Sequence, residues 1–213
     1  GCHPLALKLH EPSSELPEKG ADIQDYVKKT VLSALPEEAI PALDELAAMP
    51  VPTAAERLQN HESVGLLDEH ALLRWLSSPD KLTELQHLIR NVRRTQWNEK
   101  RTREIHQARA NYWVNVSDGD ARLIELHHRI KAEDDDLDSY IEHNYSILME
   151  NNTGALASLL SDALDLKPST EGLWRMAIQL ALDRGESNHA DTLLRKIPGE
   201  GNDAFTLELR ARS

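Results

Sequence analysis

Among the residues able to do chemistry, three Glu-x-x-His pairs come first: Glu84/His87, Glu125/His128 and Glu186/His189. On a helix this spacing projects a carboxylate and an imidazole from one face, and di-iron carboxylate bundles use two such pairs with two further glutamates. The chain holds ten histidines and 20 glutamates, for which chance gives about one such pair, so three are only a mild excess. The third pair also crosses a predicted turn and helix cap. Solvated helix faces are therefore the expectation, with no metal and no cofactor; a metal-binding helical bundle stays as an alternative.

Nucleophilic chemistry has less to stand on. There is no G-x-S-x-G elbow, no placed cysteine nucleophile and no glycine-rich phosphate loop. The acidic run "EDDDLD", residues 133 to 138, reads as a solvated linker rather than a paired acid/base site. Cys2 is the only cysteine, which excludes an intramolecular disulfide and argues against a cysteine-based metal cluster. Following Gly1, it is either an incidental thiol or the lipidated first residue of a bacterial envelope protein. The expectation is a non-enzymatic protein with no small-molecule substrate.

The most distinctive charge feature is "RNVRRTQWNEKRTREIHQAR", residues 90 to 109, with seven Lys or Arg against two Glu. Arg90, Arg94, Trp97 and Arg101 recur at three- and four-residue steps, a basic stripe holding one aromatic. Such a stripe either pairs with acidic segments of its own fold or steers an acidic partner peptide, with Trp97 as anchor. A nucleic-acid-binding regulator is the third option. A net charge of −12 opposes it, because non-specific nucleic-acid binding relies on cations displacing counterions from phosphate.

These side chains must be positioned by helices. Leu and Ala supply most of the apolar volume and both favour helix. No run approaches the length of a membrane span, and "GCHPLALKLH" lacks the regions of a signal peptide. A cytoplasmic location is favoured, the lipid anchor at Cys2 being the alternative. Because the chain does not start with Met, it is expected to be a fragment or a processed product.

Residues 1–20, rich in Pro and Ser, form an extended lead-in. Ile23, Tyr26, Val27, Val31, Leu32 and Leu35 mark a first helix, and Pro36 opens a second that Pro41 kinks or divides. Thr53 and Glu56 form a capping-box pattern for a helix to about His61. Gly65 interrupts, "LLDEHALLRWLSS" makes the next helix, and Ser78-Pro79 caps a helical stretch from Asp80 to about Val116. That stretch is exposed or turns near Asn98. "VSDGD" is a turn and "ARLIELHHRI" a helix; another helix begins about Ser139. No segment alternates with period two, so no strands are expected. The domains are a divergent helical region, 21–116, and helical hairpins over 117–213.

A repeat lies in the second half. Tyr140 and Trp174 each stand early in an amphipathic helix, and the offset between them also relates Leu156 to Ala190 and Leu160 to Leu194. By the same offset Asn151 aligns with Gly185, and both suit a helix end with left-handed backbone. A helix–turn–helix unit with a period of about 34 residues is what the tetratricopeptide repeat builds. Over 139–199 the chain resembles that family. Trp174 stands at the large residue of the first helix, Gly185 at the turn, Ala190 and Leu194 at the small and large positions of the second. Tyr140, Leu160, Ala163 and Pro168 fit the same places in the preceding unit, whereas His143, Asn144 and Leu156 depart from the family pattern, as do Ile178 and Ala181.

The resemblance implies an all-α array of stacked hairpins, an α-solenoid, acting as a scaffold or adaptor. Its groove would be lined by first helices, through Glu142, Asn144, Tyr145, Arg175 and Gln179, and would take a partner protein or peptide. Each hairpin needs neighbours to cover its apolar face. Residues 203 to 211 begin a further unit, and the chain is expected to be a piece of a longer array.

Overall fold

A computed structural model describes residues 20–76, 81–117 and 120–197. The chain is mostly α-helical and separates into two compact units, Gly1–Arg101 and Thr102–Ser213. Among the described residues no helix is long and apolar enough to cross a membrane. The lead-in, Cys2, Ser78-Pro79 and residues 203 to 211 lie outside the described residues, as does part of "VSDGD".

The first unit opens with helix α1 (Gly20–Tyr26), which widens into a π-helical turn over Val27–Val31 and tightens over Leu32–Ala34. Helix α2 (Ile40–Ala48) follows, and its residues from Ala42 to Ala48 are all buried. Such burial includes two carboxylates, Asp44 and Glu45, at 5% and 1% exposure. A buried charge needs several partners to offset its desolvation. Glu45 accepts hydrogen bonds from the backbone N–H groups of Gln59 and Asn60 at 2.8 and 2.9 Å and from Asn60 Nδ2 at 2.7 Å. It thereby pins the downstream loop at Gln59 and Asn60 to α2.

Here the structure corrects the expectation of no strands, within a chain that is still mostly helical. Strands β1 (Thr53–Ala54), β2 (Leu73–Trp75) and β3 (Leu82–Leu85) form an antiparallel sheet in the order β1-β3-β2. Thr53 sits opposite Thr83 in this sheet, so it is a strand residue and caps no helix. Helix α3 (Val64–Glu69) includes Gly65 and stops well before Trp75. The expected helix over Asp80 to Val116 divides into β3, helix α4 (His87–Arg94) and helix α5 (Glu99–Trp113). The strands are too short for alternation to register as a pattern. Ala71, with φ of 53°, turns the chain from α3 into β2. Gln86 holds that turn by donating from Nε2 to the Ala71 carbonyl at 2.6 Å. At the break between α4 and α5, Asn98 Oδ1 accepts from Arg101 N at 2.8 Å and caps the helix that follows.

The second unit is regular. Helices α6 (Ala121–Ala132), α7 (Leu137–Asn151), α8 (Thr153–Leu166), α9 (Glu171–Asp183) and α10 (Ser187–Leu194) join through short turns. Leu137 and Glu171, which open α7 and α9, stand at the offset that separates Tyr140 from Trp174. Thr153 and Ser187, which open α8 and α10, repeat it. Leu126, Ile130, Leu137, Ile141, Leu148, Leu156, Leu160, Ala163 and Leu173 build a continuous apolar core. Ile178 and Ala181, the off-pattern residues of α9, make a second core with Ala190 and Leu194.

The caps follow the sequence with one change. Gly185 has φ of 72°, and Glu186 N donates to the Ala181 carbonyl at 2.8 Å, closing α9 as a left-handed glycine turn. Asn151, its counterpart by offset, is the last helical residue of α7. Asn152 follows in extended backbone and caps the start of α8 instead, its side chain accepting from Ala155 N at 2.9 Å.

A buried ion cluster joins α6 to α7. Glu125, fully buried, receives Arg122 and also Arg129, whose Nε lies at 2.9 Å. The Arg129 guanidinium stacks 4.4 Å from the centre of the Tyr140 ring, a cation–π contact. Burial, then the Glu125 charge, pushes the Tyr140 hydroxyl well above its ordinary pKa.

Candidate functional site

A groove of about 550 Å³ opens on the second unit, lined by Asp138, Glu142 and Tyr145 of α7 and Glu171, Gly172, Arg175, Met176 and Gln179 of α9. Its lining recurs at three- and four-residue steps along each helix, as the helical period requires. Four of the five residues implied by the family resemblance, Glu142, Tyr145, Arg175 and Gln179, therefore surround one space. Asn144 does not line it. Its Nδ2 donates to the Tyr140 carbonyl at 2.8 Å, within its own helix.

Asp183, at the end of α9, organises the far side of the groove. Its carboxylate accepts from Gln179 Nε2 at 2.6 Å and from the Tyr145 hydroxyl at 3.4 Å. Burial, with the Asp183 charge beside it, holds the Tyr145 hydroxyl protonated well above the ordinary tyrosine pKa. Arg175 reaches back to Glu171, its Nε at 3.1 Å from the carboxylate. The lining thus sets three carboxylates (Asp138, Glu142 and Glu171) against one guanidinium, with Tyr145 and Met176 as its apolar patch.

The basic run 90–109 is committed differently. Arg94 donates from Nε to the Ala47 carbonyl at 2.6 Å and from Nη2 to the Met49 carbonyl at 3.4 Å. It serves the unpaired carbonyls at the end of α2, where a cation is favoured. Arg93 and Arg101 converge on Asp44, at 2.6 and 3.2 Å. Burial, then the nearby Arg90, lowers the pKa of Arg94. Arg90 and Trp97 are half-buried, and neither Arg90 Nε nor Trp97 Nε1 has a hydrogen-bond partner among the described residues. The run is not a continuous stripe, because the chain breaks between Arg94 and Glu99.

The Glu-x-x-His pairs do not assemble. Glu84 is in β3 and His87 in α4. Glu186 pairs with Arg184 at 2.7 Å, and His189 is exposed. Glu125 is taken by two arginines, whereas His128 meets other histidines. His106 of α5 places its Nδ1 2.9 Å from Nδ1 of His128, and His127 completes a trio whose ligand atoms lie within 4.8 Å of one another. The only sequence mark of this trio is the adjacent pair in "LHHRI"; nothing in the spacing to His106 announces it. No family model, curated protein or solved structure matches the chain.

Proposed function

We propose that this chain is a non-enzymatic interaction scaffold of tetratricopeptide-like architecture that binds a segment of a partner protein in the groove between α7 and α9. The observation that carries the reading is the groove itself, whose lining comes from two helices that open at equivalent places of the repeat. A scaffold of stacked hairpins binds through such first-helix surfaces, and its specificity comes from side chains at fixed helical intervals.

The lining also suggests the partner's chemistry. Asp138, Glu142 and Glu171 outnumber Arg175, which already faces Glu171. A segment with Lys or Arg flanking one apolar side chain complements this surface, the apolar residue resting on Tyr145 and Met176. Arg94 and Arg101, engaged within the first unit, have less to offer a partner than their sequence pattern implies.

Selecting from a displayed random-peptide library with the full chain tests the proposal. Basic segments should emerge, and Glu142→Lys with Tyr145→Ala should abolish their binding while Arg101→Glu with Trp97→Ala leaves it intact. Peptides that bind the groove variant as tightly as the parent chain would remove the groove from the account.

A further inference from the structure

We infer that His106, His127 and His128 form a binding site for a first-row transition-metal dication, zinc in particular, that braces α5 against α6. All three lie in the second unit, and the inference stands independently of the peptide groove.

The ring geometry argues for it. Ring centroids are separated by 5.7 Å for His106 and His127, 5.1 Å for His106 and His128, and 5.3 Å for His127 and His128. Three imidazoles bound to one tetrahedral zinc through Zn–N bonds of about 2.0–2.1 Å have nitrogens about 3.3 Å apart and ring centroids about 5.2 Å apart. The trio already has that centroid spacing. Two of its nitrogens are 2.9 Å apart, so they need to separate by only a few tenths of an ångström to receive an ion.

Burial points the same way. His106 is 5% exposed and His128 is fully buried. Away from water the two rings meet nitrogen to nitrogen, an arrangement that a dication accepting both lone pairs would satisfy. Neutral imidazole is the form that ligates metal. The adjacent positions of His127 and His128 on α6 are about 100° apart around the helix, and His106 enters from α5 to close the wedge. His127, half-buried, leaves a solvent-facing side for entry of the ion and for a fourth ligand.

The donor set selects the cation. An all-imidazole site suits Zn²⁺, Cu²⁺ or Ni²⁺ and not Mg²⁺ or Ca²⁺, which take oxygen ligands. Glu125, one turn before His128, is bonded to Arg122 and Arg129 and is no ligand.

The test uses the full chain without a histidine tag, stripped by chelator and titrated with ZnCl₂ alone against a chromogenic competitor. One ion per chain should bind, raise the melting temperature and be released at pH ~5 as the imidazoles protonate. Cobalt in its place should give the intense visible spectrum of tetrahedral coordination. His127→Ala, at the wet side of the trio, and His106→Gln should each weaken zinc binding about tenfold or more. Circular dichroism of the metal-free His127→Ala chain should match that of the parent. Absence of stoichiometric binding in the parent overturns the inference. So does zinc affinity unchanged in both variants, which would assign the ion to histidines elsewhere.

Discussion

Both units hold short helices together on an apolar core, but they differ in how regular that core is and in what the buried carboxylates beside it do. In Thr102–Ser213 the cohesion is apolar and periodic: Leu156 and Ala190, equivalent by the repeat, are each fully buried, and Leu160 and Leu194 fill the matching second positions. In Gly1–Arg101 the apolar core, Leu43, Leu67, Leu72, Leu85 and Ile89 among it, follows no repeat, and two buried carboxylates on one helix tie distant segments to it. Asp44 gathers Arg93 and Arg101, and Glu45 gathers the loop at Gln59 and Asn60. Apolar burial is non-directional, so a periodic sequence suffices to specify it. A buried carboxylate is directional and selects particular partners far away in the chain.

The largest expected effect breaks the carboxylate design. Glu45→Ala leaves three donors of a partly buried loop without their acceptor. Losing several hydrogen bonds to one charged group costs about 4 kcal/mol. Hydrogen exchange should show the amides of Gln59 and Asn60, with the sheet, losing protection while α7 to α10 keep theirs. Protection retained at residues 59 and 60 would mean that the loop holds without the carboxylate.

Next in size is the apolar counterpart. Leu160 is 1% exposed in the core of the second unit, and Leu160→Ala should cost about 3 kcal/mol through lost burial and a residual cavity. Chemical denaturation followed by exchange should place this loss in α6 to α9. A loss spread equally over both units would contradict the division of labour.

The same contrast explains what was legible in the sequence. Tyr140, Trp174 and Gly185 revealed the hairpins because each helix there buries a face set by the helical period. The groove residues followed from the same register: Glu142, Tyr145, Arg175 and Gln179 share one space, and Asn144 lies outside it. In the first unit, Thr53 and Glu56 looked like a helix cap, yet Thr53 pairs with Thr83, far along the chain. Local propensity loses there to a sheet whose strands are too short to alternate. Of the two roles open to the arginines of 90–109, Arg93 and Arg101 take pairing within the fold, and the pattern could not name Asp44 because it is remote in sequence. The histidine trio was hidden for a similar reason, since it needs the packing of α5 on α6.

A smaller effect sharpens the role of the ion cluster in the second unit. The Tyr140 phenol is held neutral by burial and by Glu125, so its folded pKa lies above its unfolded value of about 10. That raised pKa contributes stability that is fully present below pH ~10 and lost as pH rises through the folded value. Tyr140→Phe should move alkaline unfolding of this unit to higher pH. At neutral pH the variant loses the hydrogen bond from the hydroxyl to the Arg122 carbonyl at 3.3 Å, a cost of about 1 kcal/mol. An alkaline transition unmoved by the substitution would show that another group drives it.

The smallest effect compares the units at their strained turns. Ala71 in the first unit and Glu133 in the second have φ of 53° and 58°, a region that costs a non-glycine residue roughly 1 kcal/mol. Glu133 ends α6, where Asp134 N donates to the Arg129 carbonyl at 3.0 Å, so glycine there would complete a relaxed left-handed cap. Its side chain also pairs with Arg103 at 2.7 Å, but both partners are about half exposed, and such pairs contribute little. Glu133→Gly should therefore raise the stability of the second unit by about 0.5 kcal/mol. Ala71→Gly loses no side-chain ion pair and should gain about 1 kcal/mol in the first unit. Denaturation midpoints of the two variants decide the matter. A gain at Glu133 equal to that at Ala71 would mean that the Arg103 pair contributes nothing, whereas a loss at Glu133 would make that pair worth more than the strain beneath it.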